Sequence, residues 1–453
     1  MHPNQDPIIA LATPQGVSAI AVVRLSGKGV IGIVNGLFCG SDLTQQASHT
    51  IHFGLIKKGD TTIDEVLVSI FIAPHSFTKE DSVEISCHGA PFIVSALIEL
   101  FVAHGVRIAE PGEFTKRAFL NGRFDLAQAE AVADLIAADS ALAHQTALHQ
   151  MRGGFSSALQ ELRKALRHFA AMLTLELDFA EEDVEFLDRK ELHKLADALI
   201  KNLTSLIDSF QLGNVIKQGV AVAIVGKPNV GKSTLLNALL QEERAIVSPI
   251  AGTTRDTIEG ILHLGGIPFR FVDTAGLREN TSDAIEAIGI ERTKAQLKKA
   301  FIVLYLVDLS NTTFKQAAAD LVRWGLEGLP VLKIGNKIDL APAAALENFK
   351  DYLLIAAQTG SGVAQLKDKL LELVAYKPTD GLATVVINAR HYDRLQKSKQ
   401  ALTAVITGLE QKRSNELLVV DINSALYALG EITGEITTEE ILGEIFSKFC
   451  IGK

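Results

Sequence analysis

The sequence predicts a multidomain α/β and α protein, in which an α/β domain is inserted into a discontinuous helical domain that follows an N-terminal α+β domain. The chain has 453 residues, which corresponds to roughly three average domains. Two long stretches contain no proline, the strongest helix breaker, and apolar residues recur in them at helical spacing. Between these stretches, short β-branched runs alternate with helical segments, which is typical of a parallel sheet. We therefore divide the chain into segments 1–122, 123–214, 215–378 and 379–453.

The composition indicates a globular protein and excludes several classes. Hydrophobic residues make up 47% and charged residues 21% of the chain, so a mainly disordered protein is excluded. No apolar stretch reaches the length of a membrane span, and the first six residues lack the features of a signal peptide. The three cysteines imply no disulfide framework, so we expect a cytoplasmic protein without membrane contact. The net charge of -9 argues against a broad basic surface and leaves room for a local basic patch.

The N-terminal segment is predicted to be an α+β domain. Its elements are predicted from β-branched runs and from helical spacing after a proline: strands at 19–25, 65–72 and 82–87, and a helix at 92–102. We predict that Cys39 and Cys87 lie in its core, because a free cysteine behaves as a small apolar side chain.

The helical domain is predicted from two segments on either side of the insertion. Residues 155–212 contain neither glycine nor proline, and residues 125–148 are rich in Ala, Leu, Gln and Glu, so both are predicted to be helical. In the second segment, Asp421 is predicted to be a helix N-cap and residues 437–440 another helix start. One helical face carries three cations, and it is either a solvated surface or a basic patch for nucleic acid: Arg163, Lys164 and Arg167.

Residues 226–233 (Gly-Lys-Pro-Asn-Val-Gly-Lys-Ser) match the phosphate-binding motif G-x4-G-K-[ST]. They follow the predicted strand 220–225 and open the predicted helix 234–240, which is the context that the motif requires. We predict that Lys232 reaches the β- and γ-phosphate oxygens and that Ser233 binds Mg²⁺. The motif predicts nucleotide contacts by Asn229, Val230, Gly231, Lys232, Ser233 and Thr234.

Two further motifs predict that the nucleotide is GTP. Residues 273–276 (Asp-Thr-Ala-Gly) follow the predicted strand 269–272, where GTPases place their Mg²⁺- and γ-phosphate-sensing groups. Residues 336–339 (Asn-Lys-Ile-Asp) follow the predicted strand 331–334. The Asp339 carboxylate can accept from guanine N1–H and N2–H₂, which adenine does not offer. These motifs predict nucleotide contacts by Asp273, Thr274, Ala275, Gly276, Asn336, Lys337 and Asp339.

Three positions bear on how GTP would be hydrolysed. Residues 252–256 (Gly-Thr-Thr-Arg-Asp) are predicted to be a switch segment that closes on Mg²⁺ and the γ-phosphate, with a surface β-turn as the alternative. Leu277 stands where many GTPases have the glutamine that orients water, so another group must do this. Asn229 is either a turn former or the holder of a monovalent cation, and the cation hypothesis predicts faster hydrolysis in K⁺ than in Na⁺. Residues 356–358 read Ala-Ala-Gln where Ser-Ala-Lys is usual, so only backbone contacts to guanine are expected there.

Motifs outside the nucleotide site resemble those of one family. Residues 111–123 (Pro-Gly-Glu-Phe-Thr-Lys-Arg-Ala-Phe-Leu-Asn-Gly-Arg) precede residues 125–131 (Asp-Leu-Ala-Gln-Ala-Glu-Ala), and the sequence ends with residues 449–453 (Phe-Cys-Ile-Gly-Lys). With a GTPase domain inserted into a helical domain, the whole chain resembles the MnmE (TrmE) tRNA-modification GTPase family.

The resemblance implies an N-terminal folate-binding domain, a discontinuous helical domain and an inserted P-loop (Ras-like) GTPase domain. It further implies a homodimer formed through the N-terminal domains, bound 5-formyl-tetrahydrofolate or a related folate, and K⁺-dependent dimerisation of the GTPase domains. With the flavoprotein MnmG as partner, such proteins modify C5 of the wobble uridine of certain tRNAs.

The resemblance also implies roles for single residues. Glu286 would orient the attacking water, with a helix-surface glutamate as the alternative, and Cys450 would be the family's functional cysteine, with a buried structural thiol as the alternative. The folate contacts fall on Arg24, Glu84, Arg123 and Lys453. The cation contacts fall on Asn229, Ser248, Ile250 and Thr253 for K⁺ and on Ser233 and Thr254 for Mg²⁺. Ser248, Thr253 and Thr254 thereby join the predicted GTP-binding residues.

Two other functions remain open from the sequence. A ribosome-assembly GTPase would explain the nucleotide motifs without any modification chemistry. A one-carbon transfer enzyme with a regulatory GTPase would bind folate tightly without depending on tRNA. Because the chain is acidic overall, tRNA binding should rest on a limited basic patch and weaken with salt.

Overall fold

The computed structural model describes residues 6–178, 189–241, 258–272, 300–324, 330–342, 346–374 and 384–452. The chain forms two compact units, of which the first contains Met1–Ile136, Ala147–Thr204 and Asp393–Lys453 and the second Ala137–Thr146 and Ser205–Tyr392. The predicted multidomain α/β architecture is confirmed, while the three predicted boundaries between the four segments stay a prediction. Among the described helices, none has the length and apolar character that crossing a membrane requires.

A seven-stranded sheet forms the N-terminal part of the first unit, with strand order β3-β4-β5-β6-β2-β1-β7. The strands are β1 (Ile8–Leu11), β2 (Ser18–Ser26), β3 (Phe38–Cys39), β4 (Thr50–Lys58), β5 (Thr61–Phe71), β6 (Ser82–Gly89) and β7 (Arg107–Ile108). Helices α1 (Val30–Asn35), α2 (Pro91–Ala103) and α3 (Glu113–Leu120) accompany it. Side chains alternate between the two faces of a strand, so alternate residues such as Val66, Val68 and Ile70 enter the core.

The first helical segment contains α4 (Leu126–Ala137), α5 (Ala141–Met151), α6 (Gly154–Asp178) and α7 (Arg189–Gln218). The run 125–148 is helical as predicted, and it is divided between α4 and α5. The reason is local: the Ser140 hydroxyl accepts the amide hydrogen of Ala143 at 3.2 Å, which caps a new helix start.

The second unit is built on a six-stranded sheet with strand order β13-β12-β11-β8-β10-β9. Its strands are β8 (Val220–Val225), β9 (Ile258–Leu264), β10 (Ile267–Val272), β11 (Ile302–Asp308), β12 (Val331–Asn336) and β13 (Leu353–Leu354). All neighbours pair in parallel except β9 and β10. Helices α8 (Lys232–Gln241), α9 (Phe314–Trp324) and α10 (Val363–Leu373) belong to it, and buried apolar clusters cover the sheet on both faces.

The C-terminal helices are α11 (Ala389–Glu410), α12 (Asn415–Thr433) and α13 (Glu439–Phe446). The predicted helix start at 437–440 is confirmed, because the Thr438 hydroxyl accepts the amide hydrogen of Ile441 and α13 begins one residue later. The predicted N-cap at Asp421 is wrong, since α12 already begins at Asn415 and Asp421 lies within it. Sequence spacing could not show this, because a helix that starts earlier can continue through a capping residue type.

The helical face with three cations is only partly solvated. Arg163 of α6 is buried and forms an ion pair with Glu435, whereas Arg167 is exposed and pairs with the same carboxylate at 3.0 Å. Because Arg163 is occupied inside the fold, this face is not a patch of three free cations.

Candidate functional site

The phosphate-binding motif forms a loop between β8 and the N-terminus of α8, as predicted. Asn229 in this loop is exposed and adopts a left-handed conformation with φ of 63°. The Lys232 ammonium donates to the backbone oxygens of Gly226 at 2.6 Å and Lys227 at 3.0 Å. The amides that open α8 and the lysine are therefore gathered around one loop, which is the arrangement that binds phosphate groups.

Gly231 is required because the motif passes close to the guanine-specificity motif. Its φ is 98°, and a Cβ atom there would lie 2.4 Å from Nδ2 of Asn336. That amide nitrogen donates to the backbone oxygen of Val230 at 2.8 Å, while Oδ1 of Asn336 accepts the amide hydrogen of Ala357 at 3.0 Å. One buried side chain thus joins three loops, including the segment where Ala-Ala-Gln replaces the usual Ser-Ala-Lys.

Lys337 makes a second connection between the loops. Its ammonium donates to the backbone oxygen of Asn229 at 2.9 Å and to Oδ2 of Asp308 at 2.6 Å. Asp339 lies two residues further on and is exposed, as a side chain that reads a ligand must be. These loops meet because β8, β11 and β12 are adjacent parallel strands whose carboxyl ends share one edge of the sheet.

Several predicted site residues lie outside the described residues. They belong to the switch segment, to the Asp-Thr-Ala-Gly motif, to the water-orienting position and to the chain end: Ser248, Ile250, Thr253, Thr254, Asp273, Thr274, Ala275, Gly276, Glu286 and Lys453. The described members of the predicted GTP-binding set lie at the sheet edge, and Ser233 and Thr234 among them are exposed in the first turn of α8.

The predicted folate residues Arg24 and Glu84 face each other across β2 and β6. Nε of Arg24 donates to Oε1 of Glu84 at 2.8 Å, and Nη1 donates to the backbone oxygen of Gly452 at 3.3 Å. Gly452 therefore lies beside the pair, and two residues earlier the backbone oxygen of Cys450 accepts the amide hydrogen of Gly112. Lys453, the predicted contact at the chain end, is outside the described residues.

An aromatic ring connects this pair to the fourth contact, Arg123. The guanidinium carbon of Arg24 lies 5.6 Å from the ring centre of Phe77, and that of Arg123 lies 5.1 Å from it. Burial lowers the pKa of the Arg123 guanidinium below its ordinary value. Beside Arg123 is a cavity of about 490 Å³ lined by His49, Phe71, Pro74, His75, Ser76, Phe77, Lys79 and Arg123. Its lining combines aromatic rings with cations, which suits a flat anionic molecule.

The motif 111–123 holds one wall of this cavity. Nδ2 of Asn121 donates to the backbone oxygen of Thr78 at 2.7 Å, the Lys79 ammonium donates to the backbone oxygen of Gly122 at 2.9 Å, and Arg123 donates to the backbone oxygen of Ser76. These contacts attach the loop between β5 and β6 to the end of α3. Asn121 and Arg123, two polar residues of the motif, thus fix this loop through their side chains.

The cysteines divide into two kinds. Cys87 is buried as predicted, and burial together with the nearby Asp64 carboxylate raises the pKa of its thiol to about 11. Cys39 is exposed, so its predicted place in the core is wrong. It lies on the edge strand β3, where alternation turns it outward from the buried Phe38. Cys450 is also exposed, which excludes the buried structural thiol as its explanation.

Sequence reasoning missed one residue of the nucleotide site, Asp308. It ends β11 and is buried, and its carboxylate contacts Lys337 of the guanine motif. Its position could have indicated this role, because Asp308 is the last residue of a buried parallel strand that pairs with the strand before the phosphate loop. Within the described residues, no group of three or more His, Cys, Asp or Glu side chains could hold a metal ion.

Comparisons with known proteins place the chain beside one set of relatives. The family described as "MnmE helical domain" matches residues 126–450, and "GTP-binding protein TrmE N-terminus" matches residues 7–123. A protein of Cytophaga hutchinsonii named tRNA modification GTPase MnmE is 52% identical over 99% of this chain and 98% of its own. One of Christiangramia forsetii with the same name is 49% identical over 99% of each chain. Among solved structures, a variant of Aquifex aeolicus Era bound to GDP and AlF₄⁻ is 27% identical over 40% of this chain and 66% of its own, with a TM-score of 0.27.

Proposed function

The chain belongs to the MnmE family of tRNA modification GTPases and is a GTP hydrolase that acts in tRNA modification, and from this premise we propose its partners and chemistry. With the flavoprotein MnmG, it modifies C5 of the wobble uridine of certain tRNAs. A folate bound by the N-terminal domain takes part, and GTP hydrolysis drives the process when the GTPase domains of a homodimer meet.

The GTPase function is supported by one observation, which is the contact between two loops at one edge of the sheet. The phosphate loop and the loop of Asn336, Lys337 and Asp339 are joined by direct hydrogen bonds, so a nucleotide bound to the first presents its base to the second. Asp339 accepts two guanine hydrogens there, which adenine does not offer. GTP is therefore the substrate that this edge favours.

Hydrolysis proceeds by attack of water on the γ-phosphate. The Lys232 ammonium balances negative charge on the β- and γ-phosphate oxygens, and Mg²⁺, when bound, polarises the same oxygens. The exposed Ser233 hydroxyl in the first turn of α8 and Thr254 would hold that ion. Glu286 orients the water, since Leu277 cannot do so.

A potassium ion would add charge beside the phosphates, where other GTPases use an arginine. The backbone oxygen of Asn229 is already engaged by Lys337, so the side-chain amide oxygen of Asn229 would hold the ion. Ser248, Ile250 and Thr253 would supply the other contacts. We expect hydrolysis to be faster in K⁺ than in Na⁺ and Asn229→Ala to remove the difference. Equal rates of the unaltered protein in the two salts would exclude the ion.

The folate proposal is supported by the cluster around Phe77. Two guanidinium groups flank the ring, and together with Lys453 they would bind the glutamate carboxylates, while Glu84 would accept from a ring N–H group. Calorimetric titration with 5-formyl-tetrahydrofolate tests this. We expect Arg24→Ala to weaken binding about tenfold or more, since charged hydrogen bonds are lost, whereas Lys116→Met should bind normally. Equal affinity of all three proteins would refute the site.

The homodimer is supported by an exposed apolar face on the N-terminal sheet. Ile51 and Phe53 of β4 and Leu67 of β5 are 65%, 66% and 47% exposed, and Phe53 lies opposite Leu67. Alternation along β2 places Ile20 on the same outward face as Arg24, so a second copy seated there would also adjoin the folate residues. In sedimentation experiments the unaltered chain should be dimeric and Phe53→Asp monomeric. A Phe53→Asp chain that remains dimeric would contradict this face.

The experiment that tests the whole function is mass spectrometry of nucleosides from total tRNA of cells with and without the protein. Cells without it should lack C5-modified wobble uridines. The unaltered chain and the control Glu372→Gln, which changes only an exposed ion pair with Lys369, should restore them, and Asp273→Asn should not. An unchanged profile in cells without the protein would refute tRNA modification and favour a ribosome-assembly GTPase.

A further inference from the structure

Asp308 is a buried carboxylate at the edge of the nucleotide site. The residue is 4% exposed, and its two carboxylate oxygens are divided between two loops. Oδ2 contacts the Lys337 ammonium at 2.6 Å, whereas Oδ1 accepts from the amide of Ser310 at 3.0 Å and from its hydroxyl at 2.6 Å. Burial disfavours the charged carboxylate, but the hydrogen bonds from Lys337 and Ser310 outweigh it, so its pKa is below the ordinary value. The carboxylate is therefore charged and fixed in orientation.

Lys337 transmits this orientation to the phosphate loop. The same ammonium donates to the backbone oxygen of Asn229 at 2.9 Å, across 108 residues of sequence. Both Lys337 and Asn229 have a φ of 63°, a left-handed conformation that residues with a side chain adopt only when their surroundings impose it. The ammonium between Asp308 and the Asn229 carbonyl is a contact that joins the two loops at these two residues.

We propose that Asp308 is a positioning residue for guanine-nucleotide binding, which acts through Lys337 to lock the phosphate loop and the guanine-specificity loop in one arrangement. The proposal rests on GTP binding at the phosphate loop and is independent of tRNA, folate and MnmG. Both oxygens of the Asp308 carboxylate are engaged within the protein, by Ser310 and Lys337, so we assign it an effect through Lys337 and not through contact with the nucleotide. Its effect is to pre-organise two binding loops, and a loss of pre-organisation appears mainly as faster dissociation.

The test is the dissociation rate of fluorescent mant-GDP from the full chain, measured by stopped flow on displacement with excess GDP. Asp308→Asn keeps the shape of the side chain and removes its charge. We expect dissociation to accelerate about ten- to hundredfold, the value of a lost charged hydrogen bond. Glu372→Gln removes an exposed carboxylate of the same unit that pairs with Lys369, and its dissociation rate should equal that of the unaltered protein.

A double-mutant comparison separates positioning through Lys337 from a general structural role. In a Lys337→Ala chain the cation that Asp308 holds is gone, so adding Asp308→Asn should accelerate dissociation no further. Effects that multiply in the double variant, or an Asp308→Asn chain that releases mant-GDP at the unaltered rate, would overturn the proposal.

A second variant, Ser310→Ala, and the binding of mant-GDP by the unaltered protein distinguish the possible failures. If circular dichroism shows that Asp308→Asn does not fold, Ser310→Ala takes its place, because it removes only the hydroxyl that orients the carboxylate. Ser310→Ala should accelerate dissociation several-fold in the presence of Lys337 and not in its absence, and equal effects in both backgrounds would refute the lock. A failure of the unaltered protein to bind mant-GDP would instead refute GTP binding itself, so the two failures are distinguishable.

Discussion

Replacing Arg117 by methionine should destabilise the N-terminal sheet selectively. The Arg117 side chain is 3% exposed, and its guanidinium donates to Glu113 at 2.9 Å, to Glu80 at 3.2 Å and to the Asp6 carboxylate at 2.9 Å. Methionine fills a similar volume without a charge, so the acidic side chains would keep their positions and lose their shared cation. Glu113 and Glu80 are themselves only 10% and 12% exposed, so water cannot replace the lost contacts.

The size of the effect follows from the burial of these groups. Removing one partner of a buried ion pair costs about 3–5 kcal/mol. Arg107 still contacts Glu113 at 2.6 Å after the substitution, so we expect a value near the lower limit, about 3 kcal/mol. Since 1.36 kcal/mol corresponds to a factor of ten, opening of the sheet should become about a hundredfold more frequent.

Hydrogen exchange followed by mass spectrometry measures the opening of the N-terminal sheet separately in the full chain. A single melting curve would combine the unfolding of several domains. Peptides from β5 and β6 should exchange about a hundredfold faster in Arg117→Met, while peptides from β8 and β11 should be unchanged. Lys116→Met alters the neighbouring, half-buried cation of α3 and serves as the control. Unchanged exchange in Arg117→Met, or an equal acceleration in Lys116→Met, would refute the reasoning.

The same network predicts a loss of stability in acid. The hydrogen bond from Arg107 is the main cause that lowers the pKa of Asp6. Burial raises the pKa of Glu113. Hydrogen bonds from Arg107, the Glu110 amide and Arg117 lower this pKa by more than burial raises it, so its net shift is also downward. Groups with a lowered folded-state pKa stabilise fully above their unfolded values of 3.8 and 4.5 and lose this contribution as the pH falls. In the unaltered chain, the hydrogen-exchange protection of β5 and β6 peptides, corrected for the intrinsic exchange rate at each pH, should therefore fall more steeply than in Arg117→Met between about pH 5 and pH 3.

Three other predictions concern single positions. Cys39 and Cys450 are exposed and should react with a thiol reagent at pH 8, whereas Cys87, with its pKa raised to about 11, should react only after unfolding; three thiols reacting in the native protein would contradict its burial. Gly434 has a φ of 80°, and an added Cβ would lie 2.9 Å from its neighbours. Gly434→Ala should therefore lower the free energy of opening, measured by hydrogen exchange of α12 peptides, by roughly 2 kcal/mol. Unchanged protection of these peptides would refute the crowding. Thr438→Ala removes the cap of α13 and should cost about 1 kcal/mol in the exchange of that helix alone; equal exchange in both proteins would show that the cap contributes nothing.

The nucleotide strands were predictable because their signals are local. Residues 220–225 were predicted as a strand, and β8 has these bounds, since a run of small and β-branched residues ends there at a glycine-rich loop. The predicted strand 331–334 extends to Asn336 in β12, because pairing with β11 continues through the start of the motif. Strand β4 was not predicted, although it pairs with β5 along its whole length, because its polar residues hide the alternation.

The errors share a physical cause, which is that side-chain chemistry does not fix the surroundings of a residue. Cys39 has a core residue's chemistry and lies exposed on an edge strand, whereas Arg163 has a surface residue's chemistry and is buried against Glu435. Asp421 has the chemistry of a cap and lies inside a helix. In each case, packing between elements decided the outcome.

The sequence by itself determined the inserted GTPase domain, its guanine preference and the family, because each depends on backbone and side-chain requirements within a few consecutive residues. Only the tertiary structure decided that Asp308 reaches Asn229 through Lys337 and that Arg24 and Arg123 share the ring of Phe77. These groups are far apart along the chain. They meet because parallel pairing brings strand ends to one edge and because sheet packing brings α3 to the loop after β5, and neither contact has a signal in the local sequence.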